Sequence, residues 1–415
     1  MLKVITEFFS AAQQQALPFV FIRPKPIREP DIYQGDFDLL VNPEALNDLL
    51  RLFHRICSAN AINFRIERVK YEKTTVTLFT HSLEHCVEFD IWTELDIKDR
   101  SLPKGTHIPW YKLAEQQQLI EKEGHFTLSD NIAALFYLSH MYSKNKKLES
   151  EEVQHRLNYY RQLPNLDSEV KSLFDDVSKE KMRLANKQLQ DRGLFAQQSQ
   201  HRLAQVFYRL KKKLAKSSRV IAVVGPDGVG KTTVIKQLTK RYRAKYYMYK
   251  KTFRRSFLYL FLRKLTWNKI DLQYGPLDKN QYDDIQHIKL FWISLVSGYC
   301  KAFLCRFGKT TIFDRFYIDL LITGSRSMET PLTMYPTARE LIKKAPTPSC
   351  IVQLDAPEAT ILGRKEELSV QHIQQFREMY FELSIASNTP TYVYINTYHS
   401  LEKTFEFIDK LDLKL

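Results

Sequence analysis

One nine-residue stretch limits what this chain can fold into more than any other feature: Gly225-Pro226-Asp227-Gly228-Val229-Gly230-Lys231-Thr232-Thr233. It satisfies the spacing G-x-x-x-x-G-K-[ST] in full, and its flanks suit it. Val220-Ile221-Ala222-Val223-Val224 before it reads as a buried strand, and Thr233 to Arg241 after it reads as a helix. Strand, glycine-rich turn and helix is the arrangement a phosphate cradle requires. The glycines let backbone N–H groups converge on anionic oxygens, and the positive end of the helix faces the same point. Lys231 is expected to reach the β and γ phosphates of ATP, and the Thr232 hydroxyl to hold Mg2+. The expected nucleotide-binding set is Gly225, Asp227, Gly228, Val229, Gly230, Lys231, Thr232 and Thr233.

A chain of 415 residues exceeds one ordinary core, so two or three domains are expected. Its 44% hydrophobic content excludes a disordered chain. The most apolar long run, Ile288 to Cys305, carries Lys289 and Lys301 and reads as a buried helix, not a membrane span. No secretion signal is legible at the amino terminus. The cysteines Cys57, Cys86, Cys300, Cys305 and Cys350 form no C-x-x-C pair, which suits thiols in a reducing cytoplasm and argues against a cysteine metal site.

Charge is unevenly spread. Residues 1–200 hold 26 Lys+Arg against 28 Asp+Glu, a net of −2, and the remainder holds 36 against 19, a net of +17. Within 201–270 Asp227 is the one acid among 20 basic residues. Such a block favours anions: nucleotides, phosphorylated substrates, acidic lipid or nucleic acid.

The pattern divides the chain into three parts. Residues 1–105 read as an α+β domain, with strands near 17–22, 37–41, 74–80 and 86–92 and a helix over 43–59. Residues 106–216 read as a helical segment and linker, with Ser129 as the N-cap of a helix reaching Ser143 and Leu203 to Leu214 amphipathic. Residues 217–415 alternate strands (219–224, 309–313, 350–354, 391–395) with helices, so the fold class is α/β with a parallel sheet flanked by helices.

Two further features belong to this last part. Thr311-Ile312-Phe313-Asp314-Arg315-Phe316 is an apolar strand ending in Asp-Arg. Ligands gather at the carboxyl ends of parallel strands, so Asp314 and Arg315 should face the cradle. There an Asp can hold a metal's water shell or the acceptor, and an Arg can clamp a phosphate. Leu354-Asp355-Ala356-Pro357 followed by Arg364-Lys365 reads as a nucleotide-edge loop with a basic lid.

Together these motifs resemble the thymidylate kinase-like group of P-loop kinases, over roughly Arg219 to Leu415. The resemblance implies that Lys231 and Thr232 bind ATP-Mg and that Asp227 approaches the acceptor hydroxyl. It also implies that Asp314 and Arg315 hold metal and acceptor phosphate, and that Arg364 closes on the transferring phosphate. One departure stands out. Thymidylate kinases carry an Asp-Arg pair on the helix before the Asp-Arg-aromatic strand, and Trp292-Ile293 stand there in this chain. Divergent thymidylate kinase-like proteins of bacterial surface-polysaccharide gene clusters share that end of the pattern, so a sugar or glycan acceptor is the alternative to a nucleotide.

In the amino-terminal part, Gly35-Asp36-Phe37-Asp38-Leu39-Leu40-Val41 places two carboxylates two residues apart on a strand, hence on one face. Two such acids can share Mg2+ that carries a nucleoside triphosphate, and Asp90 is the candidate third. This resembles the polymerase-β-type nucleotidyltransferase fold over about 15–145, with Asp36, Asp38 and Asp90 as a second site. Arg23-Pro24 stands where that family has Gly-Ser, and Pro24 offers no N–H to a phosphate.

The expected activity is transfer of the γ-phosphoryl group of ATP to a nucleoside monophosphate such as dTMP. Lys231, Asp314, Arg315 and Arg364 are the catalytic candidates, with Mg2+ on Thr232 and Asp314. The other expectations are a bifunctional nucleotidyltransferase-kinase and a non-catalytic ATP-binding module. The basic-flanked apolar stretch Lys250 to Leu265 motivates the module, at an anionic membrane surface or synthesis complex. Nucleic acid is disfavoured because the basic block lacks a reading motif. A homodimer is implied by the resemblance alone.

Overall fold

The computed structural model describes residues 1–23, 27, 31–33, 35–97, 99, 101–103, 105–122, 125–197, 206, 208–210, 220–248, 260–261, 310–316, 347–364, 369–387, 389–398 and 400–411. Trp292-Ile293, Ile288 to Cys305 and Pro24 lie outside them, as do Lys250 to Leu265 except 260–261 and Leu203 to Leu214 except 206 and 208–210. The chain divides into two compact units. The first is Met1–Ile56, Val69–Thr77 and His85–Arg209, and the second is Cys57–Arg68, Leu78–Glu84 and Leu210–Leu415.

In the first unit, helix α1 (Leu2–Gln14) buries Val4, Ile5, Phe8, Phe9 and Ala12, a one-faced stripe at helical spacing. That stripe meets an aromatic core. Phe8 stacks on Phe53 of α2 (Leu46–Ala59) with ring centroids 3.8 Å apart, and Phe37 stacks on Phe89 at 4.9 Å. Strand β1 (Phe19–Phe21) pairs antiparallel with β2 (Phe37–Val41), and β5 (Cys86–Trp92) runs parallel to β2. Strand β4 (Lys73–Phe79) lies beside β5, while β9 (His125–Leu128) and β8 (Leu119–Lys122) extend the other side of β1. A smaller sheet joins β6 (Glu94–Asp96), β7 (Thr106–Pro109) and β10 (Ala196–Gln197).

Residues 106–216 therefore mix strands with the expected helices. These are α3 (Trp110–Glu115), α4 (Asp130–Lys144), α5 (Glu151–Arg161), α6 (Ser168–Ser172) and α7 (Lys179–Asp191). Ile132, Leu135, Leu138 and Met141 of α4 share a buried cluster with Ala185 and Leu189 of α7. Ser129 holds the N-cap position of α4 but makes no side-chain cap bond; its hydroxyl sits 2.6 Å from Gln118 Oε1.

The second unit is built on a parallel sheet. It contains β11 (Val220–Val224), β12 (Lys245–Met248), β13 (Thr311–Asp314), β14 (Cys350–Asp355) and β15 (Thr391–Asn396) in the order β12-β13-β11-β14-β15. Helices α8 (Lys231–Arg241), α9 (Glu358–Arg364), α10 (Val370–Ala386) and α11 (Leu401–Lys410) accompany it. All five residues of β11 are buried, as a central parallel strand requires. From β11 the chain builds the sheet first on one side and then on the other. The carboxyl end of β11 is thus a switch point, where parallel sheets open a crevice.

One stretch of early sequence belongs to this second unit. Strand β3 (Phe64–Arg68) pairs antiparallel with β15, Phe64 opposite Tyr394 and Ile66 opposite Tyr392. Phe64 stacks on Tyr394 at 5.1 Å, and Asn63 Oδ1 accepts the Asn396 N–H at 2.8 Å. Among the described residues, no helix is long and apolar enough to cross a membrane.

Candidate phosphate-binding site

The loop after β11 exists because three positions refuse a side chain. A Cβ on Gly225, at φ +140°, would lie 2.4 Å from the carbonyl oxygen of Leu354, so β11 and β14 approach closely only with glycine there. Gly228 and Gly230 have φ near +90° and +92°, and Gly230 caps α8 without a side-chain bond. Among the described residues, the N–H groups of Gly228, Val229 and Gly230 meet no protein acceptor. A turn of this kind at a helix head concentrates N–H donors where an anion would bind.

Lys231 opens α8 and is buried. Its Nζ donates to the carbonyls of Gly225 (2.9 Å) and Pro226 (2.7 Å) and to Asp227 Oδ1 (3.0 Å). Burial pulls the Lys231 pKa down, and the nearby Arg315 adds to that, while Asp227 opposes both. Thr232 and Thr233 are exposed on the first turn of α8.

The adjacent strand delivers the rest. Asp314 ends β13 opposite Val223 of β11, and the Arg315 N–H donates to the Val223 carbonyl at 2.8 Å. Arg315 has φ +65°, a left-handed conformation that costs any residue with a Cβ energy and tends to persist where a site holds it. Its guanidinium forms an ion pair with Asp227. Burial pushes the Asp227 carboxyl up, but Lys231 and Arg315 outweigh it and hold the group at about 2. Asp314 Oδ2 accepts from the Tyr246 hydroxyl at 3.3 Å, whereas its buried Oδ1 meets no hydrogen-bond partner among the described residues. A carboxylate oxygen of this kind is a ligand a hard cation takes, so Asp314 suits Mg2+, and Thr232 offers a hydroxyl on the first turn of α8. Arg364 closes the ring from the end of α9, Nη1 donating to the Gly228 carbonyl at 3.4 Å.

The structure thus brings together every candidate of the carboxy-terminal part: Gly225, Asp227, Gly228, Val229, Gly230, Lys231, Thr232, Thr233, Asp314, Arg315 and Arg364. Asp227 lies against Arg315 and Lys231. The sequence reading missed Tyr246, Thr397 and Arg377. Tyr246 sits in a strand with no motif. Thr397 Oγ1 donates to the Val229 carbonyl at 3.0 Å. Arg377 is a single basic residue on α10, and only its fold partners distinguish it. It forms an ion pair with Asp355 at 2.7 Å, and Tyr394 donates to the same carboxylate oxygen at 2.7 Å. The Asp355 side chain, expected on a nucleotide-edge loop, is buried in this bonding instead.

The amino-terminal carboxylates come from neighbouring strands, as expected for Asp38 and Asp90. Asp38 and Asp90 stand opposite each other on β2 and β5, and both are buried. Each already holds a cation: Arg23 on Asp38 and Lys73 on Asp90, with Thr75 Oγ1 2.8 Å from Asp90 Oδ1. Burial raises the Asp38 pKa, Arg23 opposes it, and Asp90 adds to it. Asp36 precedes the strand and is exposed. Among the described residues, no three His, Cys, Asp or Glu side chains gather into a group that could hold a metal ion. One arginine and one lysine side chain thus offset the charge of Asp38 and Asp90.

No family model matches the chain, and no curated protein matches it. Solved structures similar to part of it include the deoxyadenosine kinase from M. mycoides with bound dATP, at 13% identity and TM-score 0.29, covering 46% of this chain and 97% of that one. The same kinase with bound dCTP gives TM-score 0.28 at the same identity and coverage. With the products dCMP and a flexible dCDP, the score is 0.29. Superpositions this loose carry no weight beside the geometry. By its own strand, glycine turn and helix, the second unit has a P-loop architecture.

Proposed function

We propose that the chain is an ATP-dependent phosphotransferase of the thymidylate kinase-like type, passing the γ-phosphoryl group to a nucleoside monophosphate such as dTMP. The observation that carries this reading is the meeting of Lys231, Asp227 and Arg315, from two neighbouring strand ends, at one glycine loop.

The loop N–H groups and the head of α8 bind the triphosphate. Lys231 exchanges its bonds with the Gly225 and Pro226 carbonyls for phosphate oxygens. Thr232 and Asp314 would hold Mg2+, which when bound would neutralise charge on the phosphates. Arg315 and Arg364 stabilise charge on the group in transit, and the ionised Asp227 accepts a hydrogen bond from an acceptor hydroxyl. Positioning and charge stabilisation supply most of the rate in such a transfer, since little covalent chemistry falls to the protein.

A second reading, a sugar or glycan acceptor, is motivated by Trp292-Ile293 in place of an Asp-Arg pair. The deciding experiment is ATP consumption by the purified protein against dTMP, dUMP, other nucleoside monophosphates, nucleosides, sugars and glycan fragments, with Lys231→Ala as blank. Transfer to dTMP supports the first reading, and transfer to a sugar alone supports the second. A Lys231→Ala protein with undiminished turnover overturns both.

A further inference from the structure

Behind the phosphate loop, one guanidinium holds three consecutive features of the turn that follows β14. Arg377 pairs with Asp355 through Nε at 2.7 Å, donates from Nη2 to the Ala356 carbonyl at 2.6 Å, and pairs with Glu358 through Nη1. Its side chain is 17% exposed and Asp355's is 2%, so the pair lies in the interior. Buried charge survives only when it is paired and well hydrogen-bonded. Asp355 is well served, accepting also from the Ala356 N–H (2.8 Å) and the Tyr394 hydroxyl (2.7 Å), while Arg377 Nε meets it as a charge contact and makes no hydrogen bond among the described residues.

Two paths lead from this turn to the loop. The Asp355 carbonyl accepts from the Thr397 N–H (2.7 Å), and the one hydroxyl proton of Thr397 is shared between the Asp355 and Val229 carbonyls, each 3.0 Å away. Glu358 begins α9, which ends six residues later in Arg364, bonded to the Gly228 carbonyl. Both carbonyls belong to peptides inside the glycine turn, so the turn after β14 sets which way those peptides face. The residue just before it, Leu354, supplies the oxygen that leaves Gly225 no room for a Cβ.

Resting on the phosphotransferase reading, we propose that Arg377 is a positioning residue for the triphosphate. Among the described residues its side-chain bonds go to Asp355, Ala356 and Glu358, not to the glycine loop. By clamping Asp355, Ala356 and Glu358 it fixes Thr397 against Val229 and Arg364 against Gly228, and so holds the anion-binding shape of the loop. A misplacement of a fraction of an ångström in such a supporting shell is felt at the ligand.

The test uses the full chain. Arg377→Gln leaves Asp355 buried without its cation and is prone to misfold, so it is paired with the charge-balanced Asp355→Asn/Arg377→Gln protein. Arg377→Lys keeps the charge but loses the fork. Dissociation of ATP-Mg is measured at a temperature where melting curves show each protein folded, alongside KM and kcat. The expected result is an ATP Kd and KM raised about tenfold in the balanced double variant, with kcat changed far less, and an intermediate value for Arg377→Lys. A balanced variant that is folded and binds ATP as tightly as the wild type overturns the proposal alone. A wild-type protein that binds no nucleotide overturns the phosphotransferase reading, and this proposal with it.

Discussion

The carboxylate of Asp227 and the guanidinium of Arg315 form an ion pair between the loop after β11 and the end of β13, with Lys231 Nζ 3.0 Å from the same carboxylate oxygen. Two cations share this acid, and with Arg364 they outnumber the site's carboxylates Asp227 and Asp314, so positive charge is in excess where a polyphosphate would sit. The shared carboxylate offsets part of the repulsion between Lys231 and Arg315.

That arrangement sets a pH dependence. The Asp227 pKa is about 2 in the folded protein, below the roughly 3.9 of an unpaired Asp. Its ionisation therefore favours the folded state above about pH 4, and the contribution is lost as pH falls through about 2. Melting temperatures of wild type and Asp227→Asn should converge across that window. A gap that stays constant from neutral pH down to about pH 2 would show that the carboxylate is not linked to stability.

Gly225 and Gly363 should respond to alanine in opposite ways. At Gly225 both the +140° φ and the Leu354 carbonyl at 2.4 Å oppose a methyl group, and Gly225→Ala is expected to cost about 2–4 kcal/mol. At Gly363, inside α9, a Cβ meets nothing within 4 Å, so Gly363→Ala should be neutral or stabilise by up to about 1 kcal/mol. Urea denaturation of both variants checks the contrast, and equal effects would refute it.

The second unit should not fold from residues 217–415 alone. Without β3, strand β15 loses the antiparallel partner that covers Tyr392 and Tyr394, and Lys410 loses the Leu83 carbonyl it reaches at 3.0 Å. An exposed edge of this kind promotes aggregation. The truncated protein is expected to be insoluble or to lack a cooperative unfolding transition. In the full chain Phe64→Ala should cost about 3 kcal/mol in denaturant titrations. A soluble, cooperatively folding 217–415 fragment would contradict this.

Lys73 and Asp90 should behave as a coupled pair. Removing the lysine leaves Asp90 buried with only Thr75 to serve it, so Lys73→Met is expected to destabilise by about 3 kcal/mol or more. Adding Asp90→Asn should recover most of that loss. Additive single and double effects in a mutant cycle would dissolve the coupling.

Much of the second unit was legible in the chain. The buried run Val220 to Val224, the glycine spacing and Lys231 fix a strand, a turn and a helix locally, because each follows from backbone sterics and side-chain polarity within a few residues. Strand β2 was likewise foreseen at 37–41, and the Asp-Arg ending of β13 was placed correctly. Partnership across the chain was not legible. Nothing local to Phe64 says that it stacks on a tyrosine more than 300 residues away, since strand pairing depends on which edges meet and not on the sequence of one edge. The same holds for the acids. Asp38 and Asp90 read alone as metal ligands, and only the fold, by seating Arg23 and Lys73 on them, turned that pair into internal ion pairs. Asp355 likewise owes its buried role to Arg377. The sequence determined the phosphate loop because its chemistry is contiguous. The tertiary structure decided which charges stay open to a ligand, because neutralising a carboxylate requires a cation from elsewhere in the chain.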